Sequence, residues 1–237
     1  MRTEVLTYEA DGLSMQSELF VNGDAGPRPG ILVFPEAFGL GDHARSRARR
    51  LAEQGYAALA CDLHGGGQVI DDLPTVMGLL EPLRSDPPRI RARAGGGLAA
   101  LTARPEVDSR RIAATAFCVG GTTARERAPD GADIAAAAGF HSGLATVAPQ
   151  DAANIKGKIL VCIGADDPGI PPEQRAAFEQ EMRNGKVDWQ MHLYGGVVHS
   201  FTNPEADRKG MPDYLRYDAR ADARSWAAMN GLFDELF

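Results

Sequence analysis

The order of apolar runs and turn residues predicts an α/β fold: a mostly parallel central sheet, helices on both faces, and an antiparallel hairpin at the N-terminus. Three observations carry this. From residue 30 onward, short apolar runs at 31–34, 56–61, 112–117, 134–140 and 158–163 alternate with longer helical stretches. That alternation is what parallel strands joined by helical crossovers produce. The runs are apolar throughout, as in strands buried on both faces. Residues 3–8 and 13–21 instead alternate apolar with polar about Asp11-Gly12, which reads as a hairpin with one wet face.

The elements follow in order. Residues 22–30 are dense in glycine, proline and aspartate and form a loop. A helix is expected from Asp42 to Gln54, with Leu51 and the alanines inward and its arginines mostly outward, closed by Gly55. Residues 68–88 contain Pro74, Pro82, Pro87 and Pro88, which allow only short helical pieces there. That region lies where a cap over an active site would be inserted. A helix from Arg89 to Ala103 is weakened by Gly95, Gly96 and Gly97, each by up to about 1 kcal/mol relative to alanine. Further helices are expected from Val119 to Ala128, from Pro171 to Asn184 and from about Tyr214 to Leu236, and the last strand from Val187 to Tyr194. No repeat, linker or shift in composition divides the chain, so residues 1–237 read as one domain.

Bulk properties narrow the function classes. The chain is 44% hydrophobic and 24% charged, with a formal net charge of -7. An acidic balance argues against non-specific nucleic-acid binding and fits a protein that acts on small molecules. Cys61, Cys118 and Cys162 are an odd, widely spaced set in apolar runs, which is no disulfide framework and suits a reducing compartment. The N-terminus carries charges where a signal peptide needs its apolar core, and no apolar stretch is long enough to span a membrane. A cytoplasmic location is the expectation. Cysteine and histidine spacings fit no zinc pattern, and no phosphate-binding glycine motif is present. No metal, cofactor, nucleic-acid or membrane partner is therefore expected; the oligomeric state is open.

The stretch that carries chemistry is Ala116-Phe117-Cys118-Val119-Gly120. Small-x-nucleophile-x-Gly at the end of an apolar strand is the pattern of a nucleophile elbow, where a tight strand-to-helix turn holds the central side chain clear of the backbone. A buried core cysteine beside a glycine turn reads equally well from this stretch alone. In an open α/β sheet, sites form beyond the carboxyl ends of the strands. Glu36 follows the 31–34 strand, Cys118 the 112–117 strand, Asp166 and Asp167 the 158–163 strand, and His199 the last strand. A thiol, carboxylates and an imidazole thus gather on one edge, in the chain order of nucleophile, acid and base. A thiol needs a neighbouring base to become nucleophilic at neutral pH. A histidine supplies that base, and a carboxylate fixes its tautomer. One of Asp166 and Asp167 is expected to cap the following helix. Glu36, at an apolar strand end, needs a partner. Cys61 and Cys162 are read as packing residues, and His43 as sitting at a helix start. His64, His141 and His192 are given no role.

At these residues the chain resembles the dienelactone hydrolase family, a cysteine branch of the α/β hydrolases. The resemblance rests on Phe34-Pro35-Glu36-Ala37-Phe38-Gly39, Phe117-Cys118-Val119-Gly120-Gly121, Gly164-Ala165-Asp166-Asp167 and Val198-His199-Ser200-Phe201. It implies an α/β-hydrolase fold, Cys118 as nucleophile, Asp167 as the acid, and His199 as the base. Asp167 is chosen because the family's aspartate falls three residues after the glycine. It further implies that Glu36 contacts the resting thiol and that the Ala37 and Val119 amides form the oxyanion hole. The implied activity is cleavage of an ester or lactone of a small molecule through a thioester. Ala116 replaces the family's usual glycine, and Arg125 and Arg127 stand on a helix that normally faces the sheet with apolar residues. Thr202-Asn203-Pro204 lacks the arginine that dienelactone-specific members use to hold a substrate carboxylate. A carboxylesterase with little lactone activity and a non-catalytic binding protein on the same scaffold are the competing readings.

Overall fold

The computed structural model describes residues 1–23, 26–118 and 134–237. Its sheet has eight strands: β1 (Arg2–Ala10), β2 (Leu13–Val21), β3 (Arg28–Phe34), β4 (Ala57–Ala60), β5 (Val107–Phe117), β6 (Ala136–Phe140), β7 (Lys158–Gly164) and β8 (Trp189–Tyr194), in the order β1-β2-β4-β3-β5-β6-β7-β8. β1 pairs antiparallel with β2, and β2 antiparallel with β4; every later pair is parallel. The predicted hairpin is present, and Asp11 and Gly12 both take positive φ at its turn, the backbone a two-residue hairpin requires.

Side chains of successive strand residues point to opposite faces, and two apolar clusters divide along that alternation. Ile31 and Val33 of β3 join one cluster, and Leu32 and Phe34 the other; Leu160 and Cys162 of β7 part in the same way from Ile159, Val161 and Ile163. The first cluster is covered by α1 (Asp42–Glu53) and α5 (Ala219–Asp234), through Ala48, Leu51, Trp226 and Phe233. The second is covered by α3 (Pro87–Thr102) and α4 (Pro172–Gly185), through Leu98, Leu101, Phe178 and Met182.

Residues 68–88 depart from the expectation of short pieces. They hold α2 (Leu73–Ser85), a continuous helix with Pro82 inside it. Asp72 caps it by accepting from the Thr75 amide at 2.8 Å, which offsets part of the cost of the proline. Val76, Leu80 and Leu83 pack on Ala37 and Leu63, with Phe38, Ile70 and Cys118 against the same cluster. The helix therefore lies beside the predicted nucleophile, where a cap was expected.

The glycines of α3 also have a different meaning from the one expected. A Cβ on Gly96 would stand 2.7 Å from the Cβ of Ala10 and 3.0 Å from the Tyr8 ring, and one on Gly97 would stand 3.2 Å from the Tyr8 hydroxyl. Their bare backbone lets α3 close on β1. Not every arginine of α1 is outward: Arg47 is buried, donates to Asp222 at 2.9 Å, and binds the Thr202 carbonyl. The final helix begins at Ala219, with Asp218 accepting from the Arg220 and Ala221 amides. The helix predicted over 119–128, with Arg125 and Arg127, lies outside the described residues.

Candidate active site

β5 ends in a bend at Cys118, whose φ is 56°. A residue with a Cβ rarely takes this left-handed backbone, and where it does the strain belongs to a site that needs it. The Cys118 amide donates to the Phe140 carbonyl at 3.1 Å, anchoring the bend to the end of β6. The substitution of alanine for glycine two residues earlier is absorbed: Ala116 is fully buried in the apolar cluster, and its carbonyl accepts from Ser142 at 3.4 Å. Cys118 thus stands, partly exposed, on a strained strand end, while Cys61 and Cys162 are buried; the rest of the predicted elbow, from Val119 on, lies outside the described residues. Burial raises the Cys61 thiol far above its ordinary range and pushes Cys162 up to about 12, so both behave as packing residues.

The predicted acid and base meet because the loops after β7 and β8 are joined by backbone hydrogen bonds. Ala165 donates to Tyr194 and Asp166 to Val197. Gly164 makes this approach possible, since a Cβ there would fall 2.3 Å from the Val197 carbonyl oxygen. The outcome is a line of three groups. His199 Nδ1 lies 2.7 Å from Asp167 Oδ2, and its Nε2 lies 3.2 Å from Cys118 Sγ. Asp167 is buried, and its other oxygen accepts from the Gly169 amide at 2.8 Å. Asp166 is exposed, and neither aspartate caps α4, whose N-cap is Pro171 with no side-chain cap. Burial by itself would lower the His199 imidazole; its electrostatic interaction with Cys118 and its hydrogen bond to Asp167 outweigh that and hold it well above its ordinary range.

Glu36 is buried at the end of β3 and takes Ser200 Oγ at 2.7 Å and Asn203 Nδ2 at 2.5 Å. Both its oxygens are engaged by the loop that carries the base, and the thiol is directed to His199. The contact between Glu36 and a resting thiol that the resemblance implies is not made in this arrangement. Ser200 itself has a φ of 55°, so Glu36 braces strained backbone. The Ala37 amide donates to no group among the described residues, while its carbonyl is held by His64 Nε2 at 2.7 Å. Val119 lies outside the described residues.

Two histidines that received no catalytic part from the sequence sit beside this line. His141, at the end of β6, is fully buried with a φ of 40°, and its ring stands edge-to-face on His199 at 5.1 Å. Its Nε2 is 2.9 Å from Thr202 Oγ1, which is 3.2 Å from His43 Nε2. Burial drives His141 well below the ordinary histidine range and also lowers His43, so both stay neutral near the base. Glu36 lies 3.9 Å from His141 and 4.0 Å from His43. His141 had a signal in the sequence: it follows a strand directly, as Cys118 does. Among the described residues no cluster of side chains could hold a metal ion, and no helix is long and apolar enough to cross a membrane.

The comparisons agree with this fold. Two solved structures match the whole chain and 98% of their own length: m3DLH, 49% identical with a TM-score of 0.94, and a dienelactone hydrolase-like promiscuous phosphotriesterase from metagenomic libraries, 46% identical with a TM-score of 0.93. A protein of Escherichia coli (strain K12) named "Putative carboxymethylenebutenolidase" is 29% identical over 188 residues, which cover 74% of this chain and 68% of that protein. The family model described as "Dienelactone hydrolase family" matches residues 16–237. An eight-stranded sheet of this order, a strained cysteine at a strand end and a family match over nearly the whole length lead to one conclusion: the chain belongs to the dienelactone hydrolase family and is a hydrolase of carboxylic ester bonds.

Proposed function

We propose that the protein cleaves an ester or lactone of a small molecule through a Cys118–His199–Asp167 triad and a thioester intermediate. The observation that carries this is the continuous line from Asp167 through His199 to Cys118, at 2.7 and 3.2 Å, with the thiol on a strained elbow. As Sγ bonds to the substrate carbonyl carbon, its proton passes to His199 Nε2, and the carbonyl oxygen takes the negative charge. The amides of Ala37 and Val119 are the donors for that oxyanion. Collapse expels the alkoxide, which takes the proton from His199 and leaves an acyl thioester. Water then attacks with His199 as general base, and the carboxylic acid departs from the regenerated thiol. Asp167 holds the imidazole in the tautomer that leaves Nε2 free, and stabilises its protonated form. Glu36 acts from the far side of the base loop, where its bonds to Ser200 and Asn203 set the backbone after His199.

The partner is a small-molecule substrate. The Escherichia coli relative's name points to a lactone. One observation argues against an anionic dienelactone and for a neutral ester or lactone: Asn203 stands in the stretch where the resemblance expects an arginine for a substrate carboxylate, and its amide is engaged by Glu36. The test is turnover of aryl esters and matched lactones by wild type and Cys118→Ala. Equal turnover by the two removes Cys118 from the mechanism, and the ratio of lactone to ester rates separates the two substrate readings.

A further inference from the structure

The imidazole of His199 is held at its nitrogens by Asp167 and Cys118 and approached edge-to-face by His141. It has one more neighbour. The ring of Tyr214 lies nearly parallel to it, with 7° between planes and 5.6 Å between centroids. This is the offset stack that aromatic pairs prefer.

The contact is built into the backbone. The His199 amide donates to the Tyr214 carbonyl at 3.1 Å, and the Arg216 amide donates back to the His199 carbonyl at 3.2 Å. Residue 199 and Leu215 are thereby bridged as parallel strands. Asp218 is tied to Phe201 in the same way at 3.0 Å. The segment between the base and α5 is therefore a strap laid along the base loop. Leu215 is buried beneath it, while Tyr214 remains 41% exposed. A tyrosine that only filled a core would be covered; this one presents one face to the imidazole and its rim to solvent. Its hydroxyl lies 3.1 Å from where a Cβ on Gly169 would be, and Asp167 Oδ1 lies 3.2 Å from the same point. The ring thus spans the base and the side of the acid.

The reaction gives this face a use. His199 carries the thiol's proton, and with it a positive charge, from the moment Cys118 gives that proton up until the alkoxide takes it. A π face attracts a cation, and more so when water is partly excluded. We propose that Tyr214 is a positioning residue for the base, whose ring stabilises the His199 imidazolium and fixes its plane toward Cys118. This rests on the triad reading given above. Among the described residues, the groups that face the imidazole are Cys118 from the end of β5, His141 from the end of β6, Asp167 from the loop after β7, and Tyr214 from the strap, with Glu36 one residue further out behind Ser200. Of these, Cys118 and Asp167 act on the ring's nitrogens, and Tyr214 acts on its face.

The experiment compares wild type, Tyr214→Phe and Tyr214→Leu for kcat/KM on a neutral aryl acetate across pH, with thermal unfolding measured alongside. Loss of the imidazolium proton ends activity on the alkaline side, so Tyr214→Leu should move that limb down by about 0.5–1 pH unit. It should also lower kcat by about 3–10-fold on the same scale, with KM little changed. Tyr214→Phe keeps the π face and should retain the wild-type limb, which also removes the phenol as its source. An unmoved limb in Tyr214→Leu overturns the proposal, as does an equal shift in both variants. A drop in amplitude with lower thermal stability and no shift marks a merely structural residue and overturns it too. Failure of the triad reading is seen separately, as Cys118→Ala retaining activity.

Discussion

His199 Nε2 stands 3.2 Å from Cys118 Sγ, although 81 residues separate them in the chain. The same ring is fixed from its other nitrogen by Asp167 at 2.7 Å. Asp167→Asn keeps the volume but lets the side-chain amide donate to Nδ1, which forces the proton to Nε2 and blocks acceptance from the thiol. The expected outcome is a fall in kcat by ~10³–10⁴ with KM little changed. Steady-state kinetics on an aryl ester check it, and a loss under tenfold would remove Asp167 from this role.

The histidines also set how stability depends on pH. His199 has a folded value raised above its ordinary 6.5, with its interaction with Cys118 and its bond to Asp167 overcoming burial. Its contribution is complete below about 6.5 and fades as pH rises from there through the raised folded value. His43 and His141 are lowered by burial. They must take up protons on unfolding, so stability falls as pH drops below about 6.5. Urea unfolding between pH 5 and 9 should show losses on both sides. Asp167→Asn should flatten the alkaline side, and His141→Gln, whose amide can still reach Thr202, the acid side. Parallel curves for all three proteins would refute this division.

The left-handed backbone at Cys118, with φ of 56°, costs stability, and strain of this kind is kept where a site needs it. Cys118→Ala and Cys118→Gly both lack the thiol, and glycine alone tolerates that φ freely. Cys118→Gly should therefore be more stable than Cys118→Ala by about 1 kcal/mol. Equal denaturant midpoints would mean that the bend carries no strain.

Much of this site was legible because strand ends in a parallel sheet are marked in the sequence. Apolar runs that stop at Cys118, before Asp167 and before His199 place a thiol, a carboxylate and an imidazole on one edge. The parts that escaped depend on contacts between distant loops. Tyr214 reads as the start of the last helix, since Tyr214 and Leu215 fit helical spacing, yet Asp218 starts that helix and the strap precedes it. His43 does lie in the first turn of a helix, but nothing local reveals that it is buried beside Thr202 and Glu36. Arg47 reads as one outward arginine among several until Asp222, 175 residues away, comes beside it. α2 is hidden in the sequence because each proline reads as a breaker, whereas its apolar face on Ala37 and Leu63 outweighs the lost bond.

Two helical glycines separate propensity from packing. Gly78 in α2 has open space where a Cβ would go. Gly78→Ala should thus stabilise by about 0.5–1 kcal/mol, the helix-propensity difference. Gly96 in α3 has the same propensity to gain, but its Cβ would meet the Cβ of Ala10 at 2.7 Å and the Tyr8 ring at 3.0 Å. Ala10 cannot rotate away, and Tyr8 is held by Ser17 at 2.8 Å. Either α3 or β1 must shift, and overpacking of this kind costs about 1–3 kcal/mol. Gly96→Ala should therefore destabilise on balance, by about 1 kcal/mol or more, while catalytic rates remain near wild type because β1 lies at the far edge of the sheet from His199. Urea midpoints of the two variants should move in opposite directions. A stabilising Gly96→Ala would mean that α3 does not need bare backbone to close on β1.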